Sequence, residues 1–275
     1  MKLMNLKNPF GAPVYHEETV SSTMETARVL AGQNEAHGTV IAADFQEAGR
    51  GRLARPWVME RAKNLICTIL LRYDDISSIP KALTLKTGLA VSLAVEDLVP
   101  ALAGSVLVKW PNDIMISPRG TQAVWKAQAA YKAEAAYKAA GILTEGDGRN
   151  VYIGIGVNVA QKEFPEEYRS KAGSIIRAFP DLKENARFDL LEKILARLYD
   201  EIEKPQYRED DSWRERLGLR LYKKGGAVSF VPGAADSVQV VEGTLSGIGP
   251  NGELLIIPKG ETTERAFITG ELRVY

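Results

Sequence analysis

A chain of 275 residues is long enough for one large domain, or for a large domain with a small one attached. Its 35 Lys and Arg balance 35 Asp and Glu, so no global field draws it to nucleic acid or an anionic membrane, and any anion site must be a local cluster. The single cysteine, Cys67, excludes internal disulfides, and two histidines without cysteine partners at zinc spacing argue against a protein-held metal centre. In chain order, the opening MKLMNLKNPFGAPVYH has no continuous apolar stretch, and nowhere do about 18 apolar residues run together, which predicts a soluble, cytoplasmic protein. SSTMETARVLAG (21–32) sets Ser22 three residues before Glu25 and closes on Gly32, which predicts a short helix opened by a capping box. TVIAADF (39–45), NLICTILLR (64–72), SVLVKW (105–110), GILTE (141–145) and VYIGIGVNV (151–159) are rich in β-branched residues and bounded by turns, as strands of one sheet would be. KALTLKTGLAVSLAVEDLV (81–99) and FDLLEKILARLYDEIEK (188–204) carry apolar residues at helical spacing, with Leu191, Ile194, Leu195, Leu198 and Ile202 on one face of the second. After about residue 220 the texture changes to short β runs punctuated by glycine, with Asn251-Gly252 as a hairpin signal. An α+β body with a small β-barrel appended is the expected architecture.

Four stretches, in the strands or between them, could carry chemistry. FQEAGRGRLARPW (45–57) follows a strand; its glycines allow close backbone approach, and Arg50 and Arg52 offer planar donors suited to phosphate or carboxylate. It opens the one basic cluster of the chain, with Arg50, Arg52, Arg55, Arg61 and Lys63 against Glu60, but no helix follows, so it is neither a dinucleotide fingerprint nor a P-loop. KWPNDIMI (109–116) ends a strand in a Pro-Asn-Asp turn that also suits the edge of a magnesium-nucleotide site. GIGVNV (154–159) alternates small with branched residues, so that a ligand could lie flat across the glycine face. VWKAQAAYKAEAAYKAAGIL (124–143) repeats an aromatic-Lys-Ala unit at a six-residue step around Lys126, Lys132 and Lys138, and its helix formers predict a helical insertion at about 120–137. On a helix that step turns by roughly 240°, so the three lysines cannot share one pocket.

SST, QEAGRGR, KWPND, KAAGIL, GIGVNV and a tail ending GELRV, in that order, resemble the biotin protein ligases over residues 15–275. The resemblance implies a mixed-sheet biotin/lipoate ligase-like catalytic domain at 1–220 and an SH3-like β-barrel at 221–275. It implies the family's two steps: biotin and ATP give biotinoyl-5′-AMP, and the biotinoyl group passes to one lysine of a carboxylase carrier domain. By the family pattern Ser22, Thr23 and Met24 line the biotin head group with Gln46 beside them, and Gly49, Arg50, Gly51 and Arg52 form the loop that folds over biotin and adenylate. Trp57 falls on the tryptophan against which the adenine side packs, Lys138 on the lysine that touches the biotin carboxylate, and Gly154 and Gly156 on the glycine strand. Asn112 and Asp113 fall on the nucleotide-magnesium edge and Asn158 on the phosphate side, with magnesium arriving on ATP near Asp113 and Asn158. Three features depart from the pattern. Met24 stands where asparagine is usual, Leu53-Ala54 replace arginine-glycine, and Ala62 replaces a loop glycine.

On this reading catalysis is positioning and charge neutralisation by Arg50, Arg52, Lys138 and magnesium, with Asp113 the candidate base for the incoming lysine. A lipoate-type ligase is the nearest alternative. Because only about twenty residues precede the SST segment and the charge is neutral, no DNA-binding role is expected; no membrane partner is expected either, and a homodimer is compatible with the sequence.

Overall fold

The computed structural model describes residues 1–117, 136–183, 185–204, 211–233 and 239–273. The larger sheet has eight strands: β1 (Lys2–Leu3), β2 (Val14–Glu17), β3 (Thr39–Ala43), β4 (Leu65–Arg72), β5 (Val106–Lys109), β6 (Asp113–Ile116), β7 (Tyr137–Asp147) and β8 (Asn150–Val157). Their spatial order is β1-β2-β3-β4-β8-β7-β6-β5, and the sheet is mixed because β2 and β3 run parallel while the other pairs are antiparallel. All five predicted strands lie in it.

Alternation along β4 explains the layering. Leu65, Cys67, Ile69 and Leu71 point into the main core, and Leu70 points the other way, into a smaller cluster. The main core is closed by α2 (Leu83–Leu98) and α5 (Ala186–Glu203), and the predicted stripe Leu191, Ile194, Leu195, Leu198 and Ile202 is fully buried there. On the opposite face α1 (Thr23–Gly32) packs through Ala27, Leu30 and Ala31 on Ile41, Leu70 and Tyr152. The rest of that face, with Thr68, Gly154 and Gly156, is left for the site. Ser22 caps α1 as expected, but its Oγ accepts from the Met24 N–H at 3.2 Å, and Glu25 turns outward toward Arg28 and Arg50 rather than closing a box.

Among the described residues the body also holds the short helices α3 (Glu166–Arg169), α4 (Ile175–Ala178) and α6 (Ser212–Gly218). A second, antiparallel sheet follows: β9 (Ala227–Pro232), β10 (Val241–Ile248), β11 (Leu254–Pro258), β12 (Arg265–Phe267) and β13 (Gly270–Arg273), ordered β12-β11-β10-β9-β13. Gly252 takes a left-handed φ of 92° in the β10–β11 turn, as the Asn-Gly signal required. This sheet is fused to the body: Phe230 packs edge-on to Trp110, whose Nε1 donates to the Gly252 carbonyl at 3.0 Å, and the 220–222 backbone pairs with Val108.

Two local expectations change. KWPNDIMI is a hairpin, with DIMI as a strand of its own, because Ile114 and Ile116 are both wanted in the core. The helical insertion at about 120–137 falls on 118–135, outside the described residues along with Lys126 and Lys132, but its end at Tyr137 is strand. Tyr137 pairs with Ile116, is buried, and donates its hydroxyl to the Ser174 carbonyl; tertiary packing overrides the helix formers there. Lys138 is therefore a strand residue.

Candidate active site

Residues 49–57 fold into a small hairpin. The Gly51 N–H donates to the Arg55 carbonyl, the Trp57 N–H donates to the Gly49 carbonyl, and Arg50 bridges Pro56. This strap lies over the α1 face of the sheet and encloses, with α1, the β5–β6 hairpin, β7, β8 and β13, a cavity of about 430 Å3. The sequence-predicted Ser22, Thr23, Met24, Gln46, Arg50, Gly51, Arg52, Trp57, Asn112, Asp113, Lys138, Gly154 and Gly156 all line it.

Its two ends differ in chemistry. At one end Gln46 Oε1 accepts from the Thr23 N–H at 2.8 Å and from Thr23 Oγ1 at 2.9 Å, and Thr23 Oγ1 lies 2.8 Å from Thr68 Oγ1. Because the Thr23 N–H can only donate, the Gln46 oxygen is fixed toward it and the amide nitrogen faces away, able to donate to a ligand. Gly49 supports this, since a Cβ there would lie 2.8 Å from Gln46 Nε2. The network is neutral.

The other end is cationic. Arg50, Arg52, Arg55, Lys109 and Lys138 line the cavity against two carboxylates, Asp113 and Glu271. Lys138 Nζ is 2.6 Å from Asp113 Oδ1 and 5.6 Å above the Trp57 ring. Arg55 makes a two-pronged contact with Glu271 at 3.0 and 3.1 Å, and this guanidinium, with burial opposing, holds the Glu271 carboxyl below its ordinary value. Arg50 is turned away to Glu145 at 3.2 Å. Arg52 alone among these arginines bonds only neutral oxygens, Asn112 Oδ1 and the Gly270 carbonyl, each at 3.3 Å, so its charge stays available. Burial pushes the Lys109 ammonium below the usual lysine value, with Asp113 opposing and Lys138 reinforcing the shift. Arg61, further along the basic cluster, is absorbed by the Glu18 carbonyl, Thr19 and the Phe45 ring.

The glycine strand is not bare. A Cβ on Gly156 would lie 2.7 Å from the Trp57 indole, so the glycine face admits the protein's own tryptophan rather than offering an empty shelf. Two expected residues stand outside the lining. Gly49 sits behind Gln46, and Asn158 is buried at the end of β8, where its Nδ2 donates to the Gly173 carbonyl at 3.2 Å and its backbone N–H to Ala139. Asn158 and Asp113 therefore do not converge on one side of the cavity, and Asp113 and Glu271 are each committed to a cation. Among the described residues no three His, Cys, Asp or Glu side chains gather as a metal site. Sequence reasoning counted the Lys109 of KWPND toward a nucleotide edge but passed over Thr68 and Glu271; GELRV held Glu271 in plain view, but only the fold turns β13 toward β5.

The family model for the Biotin/lipoate A/B protein ligase family matches residues 17–158, which carry this face of the sheet and all of the strap. The chain belongs to that family. Among curated relatives, the Bifunctional ligase/repressor BirA of Bacillus spizizenii is 35% identical over 176 residues, covering 61% of this chain and 47% of the relative. The Biotin–[acetyl-CoA-carboxylase] ligase of Mycobacterium tuberculosis is 31% identical over 160 residues, covering 58% and 53%. The chain spans about half the length of the curated relatives it matches. Among solved structures, a biotin protein ligase from Aquifex aeolicus in complex with biotin and ATP aligns with a TM-score of 0.72 at 25% identity, covering 94% of this chain and 98% of that one. One from Leishmania major in complex with biotin aligns at 0.62 and 25%, covering 96% and 100%. The mixed sheet followed by a separate antiparallel sheet is thus the ligase-family fold.

Proposed function

We propose that this protein is an ATP-dependent biotin–protein ligase. The observation that carries the reading is the polarity of the cavity, neutral and hydrogen-bonding at Thr23, Gln46 and Thr68, cationic at Arg52, Lys109 and Lys138. A ligand with an uncharged polar ring at one end and a carboxylate at the other satisfies both, as biotin does. Lipoate would bring an apolar dithiolane to the first end and leave Gln46 Nε2 without an acceptor, a mismatch that costs more than a misfitted methylene.

In the first half-reaction a biotin carboxylate oxygen attacks the α-phosphorus of ATP and pyrophosphate leaves with its bonding pair. In the second, the ε-amine of a carrier-domain lysine attacks the anhydride carbonyl, AMP leaves, and the amine proton is lost. Magnesium would enter on ATP as part of the substrate. Lys138 and Arg52 carry the charge that builds on the transferring oxygens, Arg50 and Gly51 shape the strap, and Asn112 braces Arg52 while its own Nδ2 donates to the Ile142 carbonyl at 2.8 Å. Asp113, once its partner Lys138 turns to the phosphate, is a carboxylate of the cavity able to accept the proton of the incoming amine. We assign 1–220 to catalysis and 221–275 to an SH3-like β-barrel, in a reducing, cytoplasmic setting that suits the single buried thiol of Cys67. No described helix is long and apolar enough to cross a membrane.

The test is pyrophosphate release with ATP and magnesium in the presence of biotin or lipoate, followed by labelling of a biotin carboxyl carrier domain. Biotin-dependent release and carrier labelling are expected; release with lipoate alone would reverse the assignment.

A further inference from the structure

Met24 is an apolar wall at the neutral end of the cavity. It is 4% exposed, packed with Ala27, Leu30, Ile41, Leu70 and Tyr152, and its side chain crosses β8. A Cβ built on Gly154 would lie 3.0 Å from Met24 Cε and 3.4 Å from the Leu143 carbonyl oxygen, so Gly154 is the seat on which the thioether rests. Both residues line the cavity beside Thr23, Gln46 and Thr68. A ring bound there meets donors along one edge, from Gln46 Nε2 and the Ser22 hydroxyl, and a polarizable apolar wall along the other. The asparagine usual at this position would have offered a donor and an acceptor instead.

We propose that Met24 is a specificity-determining residue of this cavity: seated on Gly154, it fixes the depth of the head-group end and excludes rings enlarged on the edge that faces it. The inference rests on the biotin-ligase reading and deepens it. Met24 lies at the head-group end and the reacting carboxylate belongs at the cationic end, so its contribution is uniform binding, which appears in KM rather than in kcat.

The experiment measures pyrophosphate release by the parent and by Met24→Ala, Met24→Leu, Gly154→Ala and the Gly154→Ala/Met24→Ala double variant. The substrates are biotin and its two analogues methylated on one or the other ureido nitrogen. The parent is expected to prefer biotin over at least one analogue by about tenfold or more in kcat/KM, the scale on which a pocket discriminates one methyl group. Met24→Ala should raise KM for biotin and erase most of that preference, while Met24→Leu, close in volume, keeps it. Gly154→Ala should push the methyl into the cavity and raise KM for biotin, with the double variant returning toward the Met24→Ala value. A parent without biotin-dependent release overturns the ligase reading and this inference with it. An active parent whose preference survives in Met24→Ala overturns the Met24 assignment alone; if Met24→Ala fails to fold, an unchanged KM in Gly154→Ala does the same.

Discussion

Replacing Lys138 by methionine keeps most of the stem that crosses the Trp57 ring and removes the charge. The ground-state loss is small: the Lys138–Asp113 contact is 2.6 Å long, but the lysine side chain is 35% exposed, and pairs so placed contribute about 1 kcal/mol or less. The transition-state loss is larger. Removing one preorganised donor from a closed oxyanion site costs about 3–4 kcal/mol, and two features of this cavity reduce that figure. Solvent reaches the ammonium, and Lys109, lining the same end, remains to face the developing charge. A loss of about 2–3 kcal/mol follows, and at about 1.4 kcal/mol per decade the adenylation rate should fall roughly 100-fold. The assay is single-turnover pyrophosphate release at saturating biotin and magnesium-ATP, with thermal unfolding in parallel to show that the variant is folded. Lys126→Ala and Lys132→Ala serve as controls and should leave the rate unchanged. A folded Lys138→Met variant within about threefold of the parent refutes the assignment, and a greater loss in Lys109→Met would move the catalytic cation from β7 to β5.

Glu271→Gln should loosen the strap: Arg55 and Glu271 are both partly exposed, so the pair contributes up to about 1 kcal/mol, and bound biotinoyl-AMP should escape up to about fivefold faster, with the difference shrinking at high salt. The half-life of the retained intermediate reads this directly, and an unchanged value would make the contact a surface ornament. Asp44 is a pH-sensitive joint just after β3, tied to β2 and α5: burial acts to raise its carboxyl, but hydrogen bonds from His16 and Arg187 outweigh this and hold it below its ordinary value. Its folded-state value being depressed, the stabilisation is complete above the ordinary carboxylate value and is lost as pH falls through the depressed one. The Tm advantage of the parent over Asp44→Asn should therefore be full at neutral pH and vanish in acid; a pH-independent difference would contradict the sign.

What was legible in the sequence was what is local or periodic. The α5 stripe, the five strands and the Ser22 cap follow from spacing and propensity, and the motif order brought thirteen of the named site residues to one cavity. Long-range contacts were not legible. Arg55 and Glu271 are 216 positions apart, and nothing in either segment says that β13 faces the strap. Helix propensity also misread Tyr137, where alanine-rich surroundings favoured helix while a buried phenol and a partner strand decided otherwise. Asn158 followed the motif but not the geometry: at the end of β8 its amide is drawn to the Gly173 carbonyl, away from the cavity.

The departures Leu53, Ala54 and Ala62, in the strap and just after it, share one physical property. Leu53, Ala54 and Ala62 all have left-handed backbones, with φ of 56°, 55° and 59°, so each puts a side chain where glycine would be unstrained. For L-residues that conformation costs about 1–2 kcal/mol. The cost is met locally: the Gly51 N–H and Trp57 N–H bonds close the hairpin around Leu53 and Ala54, and the Ala62 N–H donates to the Asp44 carbonyl at 3.0 Å. A side chain at these positions also narrows the range of an open strap, since alanine and leucine visit fewer conformations than glycine. Strain in the closed form and restriction of the open form act in opposite directions on closure. The strap of this chain therefore depends on its outside anchors, the Arg55 contact with Glu271 and the Arg52 bonds to Asn112 and Gly270, more than a glycine-rich strap would. Two of those three anchors are supplied by β13, which makes the second sheet a working part of the cavity.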